Sequence, residues 1–149
     1  MHRLSMLYNC CEVSKRRQWD ENPHLVKAHC VFRNYNADLA DKFDSFMALM
    51  RRFPKKESSF GLVHGDFLFS NYFFDDNNNI CIFDFDECEY SWFIYDIAVC
   101  MYYYLLSADP TELHEKVEEA EEMFFHIMSG YVLECEPDME CLQNIDLFF

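Results

Sequence analysis

The stretch from Phe60 to Asp84 restricts the folds open to this chain more than any other. A short apolar run, Phe60-Gly61-Leu62-Val63, stops on His64-Gly65-Asp66, and two more brief runs follow, Tyr72 to Asp75 and Ile80 to Asp84. Runs this short predict strands rather than helices. Asp76-Asn77-Asn78-Asn79 between the last two predicts a tight turn, because these side chains tolerate left-handed backbone. The second hairpin strand ends on Asp84-Phe85-Asp86-Glu87.

Helical patterns surround this small β element. From Ala37 to Phe53, Leu39, Phe43, Phe46 or Met47, and Met50 recur at steps of three and four, and Pro54 stops the pattern. Trp92 to Ser107 is apolar nearly all round, which predicts a buried helix. Asp109-Pro110-Thr111-Glu112 reads as a cap, a first-turn proline and a capping glutamate. The helix that follows is expected to turn Leu113, Val117, Ala120, Phe124 and Met128 inward and to end at Gly130. A last helix is expected over Asp138 to Phe149. Residues 1 to 36 are less legible: Met1 to Tyr8 reads as part of a helix, followed by a basic connector from Ser14 to Pro23.

Composition limits the partners. The 149 residues are 51% hydrophobic and 18% aromatic, enough for a packed core. Acidic side chains outnumber basic ones by 27 to 12, and the net charge of −15 opposes nucleic acid and anionic membranes. It suits a cationic ligand, or a polyphosphate that arrives with its own Mg²⁺, although solubility alone also accounts for it. The eight cysteines form no CxxC pair, and several lie inside apolar runs such as Ile80-Cys81-Ile82. They read as reduced thiols in a cytoplasmic protein. The longest apolar stretch, Trp92 to Leu106, is broken by Asp96 and too short to span a bilayer.

The chemistry-bearing residues crowd around the hairpin. His64-Gly65-Asp66 is followed by Asn71 five positions after the aspartate, and Asp84 stands at the end of the returning strand. Phosphoryl transfer needs a carboxylate to accept the proton of an attacking hydroxyl. It also needs an amide oxygen and a second carboxylate to hold the metal that bridges the phosphates, and such hard oxygen ligands suit Mg²⁺. Asp66 and Asn71 bracket a short loop, and the hairpin returns Asp84 beside it. His-Gly-Asp with an Asn at that spacing arises by chance in roughly one chain of this length per few thousand. With Asp84 added, coincidence is a poor explanation.

At these residues the sequence resembles the aminoglycoside phosphotransferase and choline kinase family, a branch of the protein-kinase-like fold. His64, Asp66 and Asn71 match its catalytic loop, Phe83-Asp84-Phe85 its metal-binding strand, and Tyr95-Asp96-Ile97-Ala98 the element that opens its next helix. The resemblance implies an α+β, mainly helical C-terminal lobe with a small β-hairpin at the catalytic loop. It implies Asp66 as base, Asn71 and Asp84 as Mg²⁺ and nucleotide ligands, and His64 and Asp96 as supports of the loop. The donor would be ATP or GTP, and the acceptor a hydroxyl of a small molecule such as an aminoglycoside, choline or a homoserine-like compound. Asp86, Glu87 and Glu89 form an acidic cluster that would bind a cationic substrate or a second ion, or simply face solvent. Trp92 and Tyr90 would stack on a ligand or join the core.

The departures from that pattern are equally specific. Three glycines, at 61, 65 and 130, leave no glycine-rich phosphate loop. Lys27 is the only lysine in an apolar setting and lacks the strand pattern of a nucleotide-binding lysine. Residues 1–149 are therefore expected to be a partial lobe, without the N-terminal ATP-binding β-lobe and cut short at the C-terminus. Two alternatives stand beside a kinase: a non-catalytic remnant or interaction module that docks a separate lobe or itself through an apolar seam, and a metal-dependent phosphohydrolase built on His64, Asp66 and Asp84. The hydrolase would need more histidines, and the nearest in sequence are His29 and His114.

Overall fold

The computed structural model describes residues 1–8, 15–107, 109, 111 and 113–149. Cys10, Cys11, Ser14, Pro110 and Glu112 lie outside the described residues, although Asp109 does accept hydrogen bonds from the Thr111 N–H (2.9 Å) and hydroxyl (2.6 Å).

A short helix α1 (His2–Ser5) precedes two helices, α2 (Pro23–Tyr35) and α3 (Ala37–Arg52). Both have asparagine caps. The Asn22 carboxamide accepts from the His24 N–H, with Pro23 occupying the first turn, and the Asn36 carboxamide accepts from Asp38 and Leu39. Helix α3 follows its sequence pattern, with Met47 and Met50 buried and Phe43 and Phe46 half-buried, although Leu39 stays exposed and Ala40 takes an inner position. Helix α2 carries no clear pattern because it buries none of its residues; it leans on α3 through Leu25 and the Phe32–Phe43 ring pair.

Strand β1 (Phe60–Val63) leads to the site and pairs antiparallel with β4 (Glu89–Trp92), Phe60 facing Trp92 and Val63 facing Glu89. The hairpin is β2 (Tyr72–Phe74) with β3 (Ile80–Ile82), and Asn78 in its turn takes a left-handed φ of 60°. Strand β4 was not expected from the sequence. Two of its four residues, Glu89 and Ser91, are polar yet buried, which removes the apolar signature of an inner strand. The following helix, α4 (Ile94–Leu106), accordingly starts after Trp92 rather than on it, and is buried along its first two turns.

Trp92 is the centre of the core. It is 0% exposed, its ring meets those of Trp19, Phe53, Phe60 and Phe148 at 5.1 to 5.7 Å, and its indole N–H donates to the Pro54 carbonyl at 2.7 Å. The indole is enclosed by these rings, with Lys55 Nζ 5.7 Å from its centroid, and packs in the core. Helix α5 (Leu113–Tyr131) packs on α4, with Ala120 buried while Leu113 and Val117 stay exposed. It continues through Gly130 to Tyr131 instead of stopping at the glycine. The last segment is not one helix but a short α6 (Met139–Gln143), capped by Asp138, and a 3₁₀ turn at Ile145–Phe148.

Candidate active site

The loop between β1 and β2 hangs from a single carboxylate. Asp96, in the first turn of α4, is 1% exposed and takes three hydrogen bonds. One oxygen accepts from the His64 N–H (3.0 Å) and from His2 Nε2 (2.9 Å), and the other from the Gly65 N–H (2.9 Å). A buried charge is tolerable only when so surrounded by donors.

His64 is fully buried and reaches the opposite way. Its Nε2 donates to the Phe83 carbonyl at 2.9 Å, and its Nδ1 accepts from the Asp66 N–H at 3.3 Å, which fixes the tautomer. Its ring packs at 4.6 Å from that of Phe85. The imidazole therefore ties the start of the loop to the end of the hairpin, on either side of Asp84.

Asn71 closes the loop. Its amide donates to the Asp66 carbonyl (2.8 Å) and to the Asp66 carboxylate (3.0 Å), and its own carbonyl accepts from the Phe83 N–H (3.0 Å). With the amide hydrogens spent, the side-chain oxygen is the free end, touched only by the Ser70 hydroxyl at 3.2 Å among the described residues.

Asp84 is exposed and holds a left-handed φ of 63°, uncommon for a residue with a Cβ. Among the described residues no hydrogen bond or ion pair holds its carboxylate. A strained, unpartnered carboxylate and the free Asn71 amide oxygen, on segments joined by the Phe83 N–H to Asn71 carbonyl bond, are ligands of the kind a hard divalent cation would take. No three His, Cys, Asp or Glu side chains converge as a closed metal cage among the described residues. The set present fits a metal that keeps its waters and completes its shell from phosphate oxygens. It does not fit a hydrolase centre: His29 stands 3.6 Å from Asp44 on the far helices, and His114 pairs with Glu118 along α5.

The acidic cluster divides. Arg17 donates to Glu87 (2.5 Å) and to Glu89 (2.8 Å), Asn22 also donates to Glu89 (3.0 Å), and Arg16 reaches the Asp86 carbonyl (3.3 Å). Burial pushes the Glu89 carboxyl up, only partly offset by Arg17 and Asn22, while hydrogen bonds to both glutamates raise Arg17 against its own desolvation. Glu89 is the deeper partner at 4% side-chain exposure against 26%, so its desolvation governs the pair. Asp86 and Glu87 remain exposed. Gly65 packs against this segment: at φ 82° it faces the Glu87 carbonyl so closely that any Cβ would overlap it.

A cleft of about 520 Å³ opens beside the loop, lined by Asp66, Glu87, Glu89, Tyr95, Tyr103 and Phe148 among others. Burial pushes the Tyr95 phenol up to about 12, so its hydroxyl keeps its proton. Asp66, two glutamates that share the single charge of Arg17, and an aromatic wall would suit a small molecule carrying a cation and an apolar body.

Sequence reasoning missed His2, Arg17 and Tyr131, the last hydrogen-bonded through its hydroxyl to His2 Nδ1 at 3.1 Å. Each stands far from the motif in sequence, and only Arg17, inside a basic run beside an acidic one, carried any signal of a partner. Lys27 is exposed on α2 and has no part in the site.

Comparison with known proteins places these features in a lineage. The phosphotransferase enzyme family (APH) matches over residues 1–130. Amicoumacin kinase of Bacillus subtilis (strain 168) is 34% identical over an alignment 149 residues long that covers 99% of this chain and 44% of that protein. The solved structure of an amicoumacin kinase in complex with AMP-PNP, Ca²⁺ and Ami superposes with a TM-score of 0.81 at 28% identity, over 99% of this chain and 43% of that one. The chain thus spans less than half the length of the relatives it matches. No helix among the described residues is long and apolar enough to cross a membrane.

Proposed function

The chain belongs to the phosphotransferase enzyme family, with a protein-kinase-like fold, and from that premise we propose that it carries the catalytic and metal-binding half of a small-molecule kinase. The donor is ATP or GTP, and the acceptor is a hydroxyl on a small, cation-bearing molecule. In this reading the lobe that covers the nucleotide lies outside these residues.

One observation carries the proposal: the Asn71 side-chain amide holds Asp66, the Asn71 carbonyl accepts from the N–H of Phe83 next to Asp84, and Asp96 anchors the loop they share. Asp66 accepts the proton of the acceptor hydroxyl. The Asn71 hydrogen bond to its carboxylate orients it for that task. Asp84 and the Asn71 side-chain oxygen would hold Mg²⁺, which when bound with the nucleotide neutralises charge on the phosphates. Glu87 and Glu89 at the cleft wall share the single positive charge of Arg17, and the negative charge left over attracts the cationic end of the acceptor beside Asp66. Such chemistry depends on positioning and electrostatics, which the hydrogen-bonded loop supplies in advance.

A second reading is favoured by a separate observation. Phe69, Phe73, Phe74, Ile80 and Phe83 stand 44 to 63% exposed around the hairpin, an apolar surface that supports docking of a separately encoded lobe or self-association. The chain then acts as an interaction module or inactive remnant.

Calorimetry of nucleotide binding with and without Mg²⁺, on this chain and on Asp84→Asn, separates the two. The asparagine keeps a side chain suited to left-handed backbone and removes only the charge. Mg²⁺-dependent binding that vanishes in the variant supports the kinase reading; absence of binding in both chains favours the module.

A further inference from the structure

His2 is nearly buried, at 6% exposure, and lies against the site from the opposite end of the sequence. Its ring stacks on Phe93 at 4.6 Å and 11°, a contact that any aromatic ring could make. Its two nitrogens do something an apolar ring could not. Nε2 bonds Asp96 at 2.9 Å, and Nδ1 meets the Tyr131 hydroxyl at 3.1 Å. Burial pushes the Tyr131 phenol well above its ordinary value, so that hydroxyl keeps its hydrogen. The tautomer that satisfies every contact has Tyr131 donating to Nδ1 and Nε2–H donating to Asp96.

Among the described residues, His2 is the one side chain that bonds Asp96; the other two donors are the backbone N–H groups of His64 and Gly65. Nε2 and the His64 N–H share the same carboxylate oxygen, so the ring fixes where that oxygen points. Gly61 makes the approach possible. A Cβ there would stand 2.7 Å from the Ser5 hydroxyl and 2.9 Å from the Phe93 ring, so these side chains would have to shift.

We infer that His2 is a positioning residue: through Asp96 it holds the His64-Gly65-Asp66 loop in its working shape, with Tyr131 as the outer support. The loop's part in phosphoryl transfer rests on the function proposed above; the hold itself does not, and is measurable without nucleotide.

The test is amide hydrogen exchange by NMR on the full chain, comparing wild type, His2→Gln and His2→Met, with Val99 and Cys100 in α4 reporting global opening. Gln can still donate to Asp96, whereas Met fills similar volume without a donor. The inference expects exchange at His64 and Gly65 to accelerate about tenfold more than at Val99 and Cys100 in the Met variant, and to return close to wild type in the Gln variant. Unchanged protection at His64 and Gly65 in the Met variant, or acceleration shared equally with α4, overturns it. Should His2→Met fail to fold, Tyr131→Phe replaces it. That variant removes only the outer hydroxyl, and the inference expects faster exchange at His64 and Gly65 with none at Val99 and Cys100. Unchanged exchange there overturns the inference too. Calorimetry on wild type stays a separate readout, so a chain that binds no nucleotide leaves the result for His2 intact.

Discussion

The Asn71 side chain reaches back across its own loop and donates both to the backbone carbonyl of Asp66, at 2.8 Å, and to the Asp66 carboxylate, at 3.0 Å. One amide thus sets both where the aspartate sits and which way it points. Replacing Asn71 with Ala leaves the Asp66 carbonyl short of a donor in a part-buried setting, at an expected cost of about 1–3 kcal/mol in urea unfolding. Asn71→Asp presses a second carboxylate on the first and should lower stability further at neutral pH, an increment that fades when the pair is protonated.

Asp96 is the point where the site meets the core. Asp96→Ala would strand three buried donors at once, the N–H groups of His64 and Gly65 and the imidazole of His2. The expected loss is about 3–5 kcal/mol in equilibrium unfolding. Asp96→Asn keeps one acceptor and should lose less; equal losses for the two variants would show that the charge, not the hydrogen-bond geometry, dominates.

At Asp84 the backbone supplies its own test. A side chain at φ 63° is strained, and glycine is not. Asp84→Gly should therefore be more stable than Asp84→Ala by about 1 kcal/mol, read as the difference in urea midpoints. Both should lose divalent-dependent nucleotide binding. A metal-ligand role accounts for the strain as stability given up for function; retained binding in both variants would remove that account.

These residues also mark how far the sequence could be read. Helix α3 and the hairpin were legible because their signals are local: an apolar period of three to four ending at Pro54, and short runs around Asp76-Asn77-Asn78-Asn79. The spacing of His64, Asp66 and Asn71 made that loop stand out, since few other chemistries need those side chains together. Strand β4 was hidden because Glu89 and Ser91 are buried by Arg17, Asn22 and the sheet rather than by being apolar. Trp92 was ambiguous because an aromatic beside an acidic cluster suits a ligand or a core equally well, and only the five-ring packing decides. His2 could not be assigned at all, because a lone histidine carries no pattern and its partner lies 94 positions away.

The glycine at 65 should be irreplaceable for two separable reasons. Its φ of 82° disfavours any L side chain, and a Cβ would enter the space of the Glu87 carbonyl, which is backbone and cannot swing aside. Conformation alone costs about 1 kcal/mol in Gly65→Ala, so a measured loss well above that reports displacement of the Glu87 segment. The shift should appear in NMR as moved amide signals at Glu87 and Cys88, with those of α3 unchanged.

Far from the site, Asp138 gives the fold a pH dependence whose sign follows from its contacts. Its carboxylate caps α6 by accepting from the N–H groups of Glu140 (2.9 Å) and Cys141 (3.3 Å), and it pairs with Lys56 at 2.9 Å. Burial alone would raise its pKa, but Lys56 and the two N–H donors outweigh it and hold the value below 3.8. A carboxyl lowered by folding contributes stability that is complete above its unfolded pKa and lost as pH falls through the lowered folded value. The stability advantage of wild type over Asp138→Asn should therefore be constant near neutrality and shrink below about pH 4. Asparagine still caps a helix, so that difference isolates the charge, whereas Asp138→Ala should cost about 1 kcal/mol more by removing the cap as well. Thermal melts of the three proteins between pH 3 and pH 7 check both parts, and an advantage that persists unchanged at the acid end would mean the carboxylate contributes geometry and not charge.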